Sequence, residues 1–279
     1  MSDGRLVGKV AFVTGAARGQ GRSHAVRLAA EGADIIAVDV CDQLESVPYP
    51  MATKADLDET VAAVEALDRR ILARPADVRD LAALRAAVDE GVAQFGRLDI
   101  VVANAGIATY APAVDLTELQ WDEMIEVNLS GVWRTVRAAV PHLRAHGDGG
   151  SVIITSSASG LRAIPNAGHY AAAKHGLVGL MKVLALELGP ERIRVNTIHP
   201  TTVDTPMTRN DATLELFLPG QADQSPEAFA RIAQRLNVLP VPWIQPEAVS
   251  NLVAFLASDE GQFITGAAIP VDAGMSVRW

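Results

Sequence analysis

The 279-residue chain is 49% hydrophobic and 20% charged, an ordinary balance for a globular protein long enough to bury a sizeable core. Its 33 acidic against 24 basic residues give a net charge of −9, no Lys/Arg cluster could track a phosphate backbone, and aromatics are only 5%, so no nucleic-acid partner is expected. A single cysteine, Cys41, leaves no intrachain disulfide, and with no basic, apolar leader and no run of about 18 apolar residues, neither a signal peptide nor a membrane span is expected; a cytoplasmic location is the default.

The first strand, "KVAFVTG", runs into "TGAARGQG", where Gly15, Gly19 and Gly21 precede a helix containing "SHAVRLAAEG". Glycines there let a backbone approach a ligand closely, and the helix N-terminus offers free N–H groups to a pyrophosphate. The second strand, "ADIIAVDV", carries Asp39, 24 residues after Gly15, where a carboxylate can accept from both hydroxyls of an adenosine ribose. This combination predicts dinucleotide binding. Asp39 would repel a 2′-phosphate and favours NAD, whereas Arg18 could pair with one and favours NADP; strand-end geometry gives Asp39 the greater weight.

Residues 41–69 are longer than one helix requires: a proline-punctuated stretch, "CDQLESVPYP", then a helix beginning near "TKADLDETV". The third strand, "RILARPADV", precedes the helix "DLAALRAAVDEGVAQFG"; the fourth, "LDIVVANAG", precedes helical sequence over roughly 117–145. "GSVIITSS", a helix over 170–189, and "IRVNTIHP" follow. Residues 201–245 are irregular, with prolines at 206, 219, 226, 240 and 242, and then come the helix "PEAVSNLVAFLASDE" and a seventh strand, "GAAIPVDAG". Gly32 and Gly96 fall where left-handed helix caps belong. Apolar strands alternating with amphipathic helices predict an α/β doubly wound Rossmann fold: a seven-stranded parallel sheet with helices on both faces, in a single domain spanning 1–279.

The stretch "GHYAAAKHG" puts Tyr170 and Lys174 at i and i+4 on one helix face. Taken with "TGAARGQG", "ADV" at 76–78, "NAG" at 104–106, Asn128 in "VNLSG", Ser157 in "ITSSAS", "RVNTIHP" and "PVDAG", the chain resembles the short-chain dehydrogenase/reductase family along essentially its whole length. Tyr170 follows Ser157 by 13 residues, the spacing that family uses. The resemblance implies a catalytic set of Asn128, Ser157, Tyr170 and Lys174. It implies that Gly15, Arg18, Gly19, Gln20, Gly21, Asp39, Asp77, Val78, Asn104, Ala105, Gly106, Pro200, Val203 and Thr205 bind the dinucleotide together with Tyr170 and Lys174.

The chemistry fits these residue types. A free phenol, pKa about 10, is a poor base near neutrality, and an ammonium one turn away, helped by a cationic nicotinamide, stabilises phenolate. Tyr170 is thus the expected acid/base and Lys174 its tuner and a ribose ligand. Ser157, with Ser156 as a rival one position away, would hold the substrate oxygen. The resemblance further implies that Asn128 anchors a water relaying protons from Lys174.

"HPTTVDTPM" departs from the family's usual Pro-Gly, placing His199 before Pro200 and Thr201 where glycine is common. The extended segment, "GAARGQGRSHAVRLA" and "AAAKHGLVGLMK" look closest to the mycofactocin-associated, carveol dehydrogenase-like subgroup. That resemblance implies a nicotinamide held as a prosthetic group and reoxidised by an external peptide-derived redox acceptor. "CDQLESVPYP" is then either a cover over the adenine side that slows release or a plain surface loop. Ile107, Tyr110, residues 158–168 and the 206–243 stretch, with Met207, Leu214, Leu216, Phe217, Leu218 and Trp243, would line a pocket for a lipophilic secondary alcohol or ketone. Helices 117–145 and 170–189 and the terminal "VRW" would form homotetramer contacts. His142 and His146, at i and i+4, lack a third ligand, so no metal is expected, and His169 and His175 point away from the Tyr170–Lys174 face. The alternatives are an NADPH-dependent carbonyl reductase and a non-catalytic dinucleotide-binding protein.

Overall fold

The computed structural model describes residues 4–218, 220, 223 and 225–278. Pro219 and Trp279, assigned above to the irregular region and the contact-forming terminus, lie outside the described residues.

Seven strands form one parallel sheet in the order β3-β2-β1-β4-β5-β6-β7: β1 (Val10–Thr14), β2 (Asp34–Asp39), β3 (Ile71–Pro75), β4 (Ile100–Ala103), β5 (Gly150–Thr155), β6 (Ile193–Pro200) and β7 (Ala268–Val271). Every residue of β1, β2 and β4 is buried, which is why they read as near-continuous apolar runs: a parallel sheet covered on both faces has no wet side. On one face pack α3 (Leu81–Phe95), α5 (Gly131–Ala145) and α6 (Gly168–Leu188), through Leu84, Val88, Val136, Leu143, Leu177 and Met181. On the other pack α1 (Gly19–Ala30), α2 (Lys54–Glu65) and α9 (Pro246–Ala257), through Leu28, Leu57, Val64, Val249 and Val253. Fully burying one such side chain stabilises the fold by about 1.5–3 kcal/mol.

Helix ends follow local chemistry. Asp80 accepts from the N–H groups of Ala82 and Ala83 to start α3, and Gly96 ends it at φ +89°. Thr53 and Asp56 form a capping box on α2. The expected 117–145 helix is interrupted: α4 (Glu118–Ile125) passes through a π turn, Glu126–Ser130, into α5. The 201–245 region is less irregular than its prolines suggest, holding α7 (Asp211–Phe217) and α8 (Pro226–Leu236). Prolines 226 and 246 are first residues of α8 and α9, where a missing N–H costs nothing. Chain order reverses between β1 and β4, and their carboxyl ends open a crevice there. Among the described residues, no helix is long and apolar enough to cross a membrane.

Candidate active site

The crevice is lined by Gly15, Arg18, Gly19, Gln20 and Gly21 after β1, Asp39 after β2, Asp77 and Val78 after β3, Asn104, Ala105, Gly106 and Ile107 after β4, and Thr205 and Met207 after β6. Gly15 lies at φ +66°, and a Cβ there would stand 2.8 Å from Ala105 Cα; one on Gly21 would stand 1.9 Å from the Gly15 carbonyl oxygen. No side chain fits either place, so the turn passes tightly under the crevice. From below, Arg22 Nη2 donates to the carbonyls of Ala17 (2.6 Å) and Asp56 (2.7 Å), and Thr60 Oγ1 donates to that of Ala16 (2.9 Å). The bonds to Ala16 and Ala17 engage carbonyls of the turn, and the one to Asp56 ties it to α2. Gln20 Oε1 is buried in the crevice wall without a protein partner.

Asp39 accepts from Ala17 N (3.0 Å) and Cys41 N (3.3 Å), and its burial raises its carboxyl above the usual range against the pull of those N–H groups. Arg18 does not pair with it at close range: its Nη2 donates to the Pro50 carbonyl at 2.5 Å, reaching across to the segment after β2. Asp77 holds its own turn, accepting from Arg79 N (2.8 Å) and pairing with the Arg79 guanidinium. Thr14 Oγ1 accepts from both Asn104 N and Ala105 N, each at 3.1 Å, and Asn104 Nδ2 donates to the Thr14 carbonyl, so Asn104 pins the diverging ends of β1 and β4. Pro200 and Val203 do not line the crevice. Pro200 closes β6, and Val203, buried and bridged to Ile244, accepts the Thr205 hydroxyl at 3.4 Å.

Leu44, Tyr49, Met51 and Ala52 complete the wall, so the segment after β2 lies against the crevice. Gln43 organises it, its amide donating to the carbonyls of Leu44 (3.1 Å) and Val47 (2.9 Å) while its oxygen accepts from Met51 N (3.0 Å). Ser46 N donates to Glu123 on α4 (3.1 Å), and Tyr49 Oη accepts from Ala108 N (3.2 Å). Tyr49 is buried, which pushes its phenol up to about 12. Sequence reasoning singled out neither Gln43 nor Tyr49; the signal available was a tyrosine inside an otherwise polar, proline-rich loop.

At the far end of the crevice, a Cβ on Gly106 would stand 3.0 Å from Asn128 Oδ1 and 3.6 Å from Lys174 Nζ. Lys174 is buried on α6, its Nζ donating to the Thr155 carbonyl (2.9 Å) and lying 5.6 Å from the centroid of the Tyr170 ring. Burial brings Lys174 down to about 8. Burial raises the Tyr170 phenol, and a hydrogen bond with the Ser157 hydroxyl pulls it back. Among the protein's own groups, desolvation of the would-be phenolate is the larger effect; the lowering expected from Lys174 and a cationic nicotinamide together is a property of the loaded site.

Ser156, the rival one position away, is engaged elsewhere. Its buried hydroxyl donates to the Lys174 carbonyl (3.0 Å), while Ser157, one residue on, accepts from Ser159 N (3.0 Å) and reaches Tyr170. Asn128, in the π turn, clamps the Ile107 backbone: Oδ1 accepts from Ile107 N and Nδ2 donates to Ile107 O, both at 2.8 Å. Its side chain is committed to positioning that loop. Tyr110 is also raised by burial and by Tyr170 and Tyr49, and Tyr49 is raised in turn by Tyr170.

Several expected pocket residues pack elsewhere. Phe217 packs tilted against Phe229 (5.4 Å between ring centroids), which stacks on Trp243 (5.9 Å), with Leu218 and Leu214 in a small separate core; of the expected apolar set from 206–243, Met207 alone lines the crevice. Thr201 donates to Asn237 Oδ1 (2.9 Å) and needs no left-handed backbone, which is why the turn tolerates it in place of glycine. His142 pairs with Asp89 and His146 with the Leu98 carbonyl, each at 2.7 Å. His169 is hydrogen-bonded to Thr109 (2.7 Å) and His175 to the Ala171 carbonyl (2.9 Å).

A family model described as enoyl-(acyl carrier protein) reductase, within the short-chain dehydrogenases, matches residues 15–276. The chain is 51% identical to (−)-trans-carveol dehydrogenase of Rhodococcus erythropolis over 98% of its length and 99% of that protein's. It is 52% identical to an uncharacterized NAD-dependent oxidoreductase of Mycobacterium tuberculosis, over 97% of each. Among solved structures, carveol dehydrogenase from Mycobacterium avium in complex with NAD superposes with a TM-score of 0.97 at 54% identity, covering 99% of this chain and 100% of that one.

Proposed function

The chain belongs to the short-chain dehydrogenase/reductase family, and from that premise we propose how its residues divide the work of an NAD-dependent oxidoreductase acting on an alcohol or ketone. The observation that carries the proposal is the meeting of Tyr170, Lys174 and Ser157 at the Gly106 end of a crevice whose other end holds Asp39.

The crevice suits a dinucleotide: the tight Gly15–Gly21 turn leaves no room for side chains, and the buried Gln20 Oε1 lacks a protein partner. Gly15, Arg18, Gly19, Gln20 and Gly21 would hold the pyrophosphate, Asp39 the adenosine ribose, Asp77 and Val78 the adenine, and Asn104, Ala105, Gly106 and Thr205 the nicotinamide half. Pro200 and Val203 would act by shaping the turn that presents Thr205. Bound NAD supplies the hydride acceptor.

Tyr170 Oη takes the proton of the substrate hydroxyl in oxidation and returns it in reduction. Ser157 Oγ holds the substrate oxygen beside that phenol. Lys174 supplies positive charge, its Nζ held in place by the Thr155 carbonyl, and Asn128 holds the Ile107 loop beside it. The substrate we infer is a lipophilic, terpenoid-like secondary alcohol or its ketone, supported by the carveol dehydrogenase relatives and by the apolar Ile107 and Met207 beside the catalytic end.

The segment over residues 41–53 supports slow dinucleotide exchange, because Tyr49, Ser46 and Pro50 each tie it across the crevice. A cofactor that does not leave needs an external redox acceptor, of the mycofactocin type in this reading. Arg18, engaged with Pro50, gives the NADPH alternative no support. Operation as one domain, a homotetramer and a cytoplasmic location belong to the same reading. The test is to denature protein purified without added nucleotide and to identify what is released by mass spectrometry. Near-stoichiometric NAD or NADH is expected; an empty protein that turns over with freely added dinucleotide would overturn retention, and bound NADP would overturn the assignment of Asp39.

A further inference from the structure

We propose that His199 is the positioning residue for Ser157, and that it works as a neutral imidazole carrying its proton on Nδ1. The proposal rests on the reading of Ser157 given above. The last rung of the β5–β6 ladder is the bond from Ser156 N to the Ile198 carbonyl at 2.9 Å. Pro200 has no N–H with which to continue it. The next tie between the two strands comes instead from a side chain: His199 Nδ1 lies 2.7 Å from the Ser157 carbonyl oxygen.

A carbonyl oxygen can only accept, so Nδ1 must donate, and this assigns the tautomer. Nε2 is then the acceptor, facing Thr197 Oγ1 at 2.9 Å, whose hydroxyl donates to it. Both ring nitrogens are satisfied and the side chain is fully buried, so the ring cannot turn without losing both bonds. Burial holds His199 below the usual histidine range; the bond to the Ser157 carbonyl opposes it, as does Asp272, while Lys174 and His175 act with it.

What the ring holds is the peptide on which Ser157 stands. That carbonyl also accepts from Gly160 N at 2.8 Å, and the Ser157 hydroxyl accepts from Ser159 N at 3.0 Å. The bonds from residues 159 and 160 are local and would move with their own turn. His199 alone among these donors belongs to β6, so it fixes Ser157 relative to the sheet and to Lys174, whose Nζ is tied to Thr155, the last residue of β5. A displacement of about 1 Å in a group that orients a reacting atom costs on the order of 10²-fold in rate.

The test is a double-mutant cycle on the holoenzyme with NAD, using the fastest reacting of (−)-trans-carveol and simple alicyclic secondary alcohols as the probe and NADH formation as the readout. His199→Ala is expected to lower kcat about 10- to 100-fold with little change in dinucleotide affinity. His199→Asn, which can place an amide N–H where Nδ1–H stood, is expected to recover to within about fivefold of the wild type. In a Ser157→Ala background, His199→Ala should cost less than about twofold more, because the two act as a unit. The same fold-loss in both backgrounds would make His199 merely structural and overturn the proposal. A Ser157→Ala enzyme as fast as the wild type would instead overturn the role of Ser157. Independently of folding in any variant, ¹⁵N resonances of the wild-type ring near neutrality should show Nδ1 protonated and Nε2 bare; an Nε2–H tautomer would refute the assignment.

Discussion

Tyr49 Oη accepts a hydrogen bond from the backbone N–H of Ala108 at 3.2 Å, joining the segment that follows β2 to the loop that follows β4. The two stretches flank the crevice, so the bond spans the opening through which a dinucleotide would pass. A neutral hydrogen bond contributes about 1 kcal/mol net. Tyr49→Phe is therefore expected to speed NAD release about fivefold while leaving the fold intact. Deleting residues 42–52 should speed it far more. Chasing bound NAD with an excess of labelled NAD measures both, and an unchanged off-rate in the deletion would reduce the segment to a surface loop.

Tyr170→Phe removes the proton acceptor without changing the shape of the site. Activity should fall by about 10³-fold, within the range for loss of a general acid/base, while NAD remains bound. Full activity in this variant would return the chain to the class of non-catalytic dinucleotide binders.

Asp39→Asn keeps an acceptor oxygen for the Ala17 and Cys41 N–H groups but removes the charge. Charge-assisted hydrogen bonds are worth about 1.5–3 kcal/mol, so NAD affinity should drop roughly 10- to 100-fold. NADP, no longer facing a carboxylate, should lose less or gain. Titration of both nucleotides gives the ratio, and an unchanged ratio would mean that Asp39 does not select the cofactor.

Lys174 carries a consequence for stability against pH. Burial lowers it to about 8 in the folded chain, from 10.5. Between those values the unfolded chain holds a proton that the folded chain has released, so stability rises with pH across that window. Below pH 8 the buried ammonium costs a constant amount, on the order of 3 kcal/mol. Measured by urea midpoints, wild type should gain on Lys174→Met between about pH 8 and 10.5 and run parallel to it below. Parallel curves throughout would show that Lys174 keeps an ordinary pKa.

What was legible in the sequence was whatever local chemistry decides. The buried strands announce themselves because neither face meets water, as in the all-buried Asp34–Asp39, and the ends of α3 follow from Asp80 and Gly96. The sites settled by contacts between distant residues were not legible. The π turn at Glu126–Ser130 leaves no mark in composition, and its Asn128 grips Ile107, 21 residues away. Ser156 and Ser157 are chemically identical, and only the position of the Lys174 carbonyl separates them. Phe217 and Trp243 could equally have lined a pocket or packed on Phe229, and the choice depends on where α8 sits. The balance at Tyr170 was not legible either, because a motif shows the neighbouring lysine but not the burial that raises the phenol.

The most direct test of the whole account is isotope transfer. Protein with NAD is mixed with (−)-trans-carveol and alicyclic secondary alcohols, each deuterated at the carbinol carbon, and the nucleotide is recovered for mass spectrometry. The account predicts reduced nicotinamide carrying deuterium from at least one alcohol, its formation suppressed in Tyr170→Phe. Reduced nucleotide without deuterium, or deuterium transferred equally well by Tyr170→Phe, would contradict it.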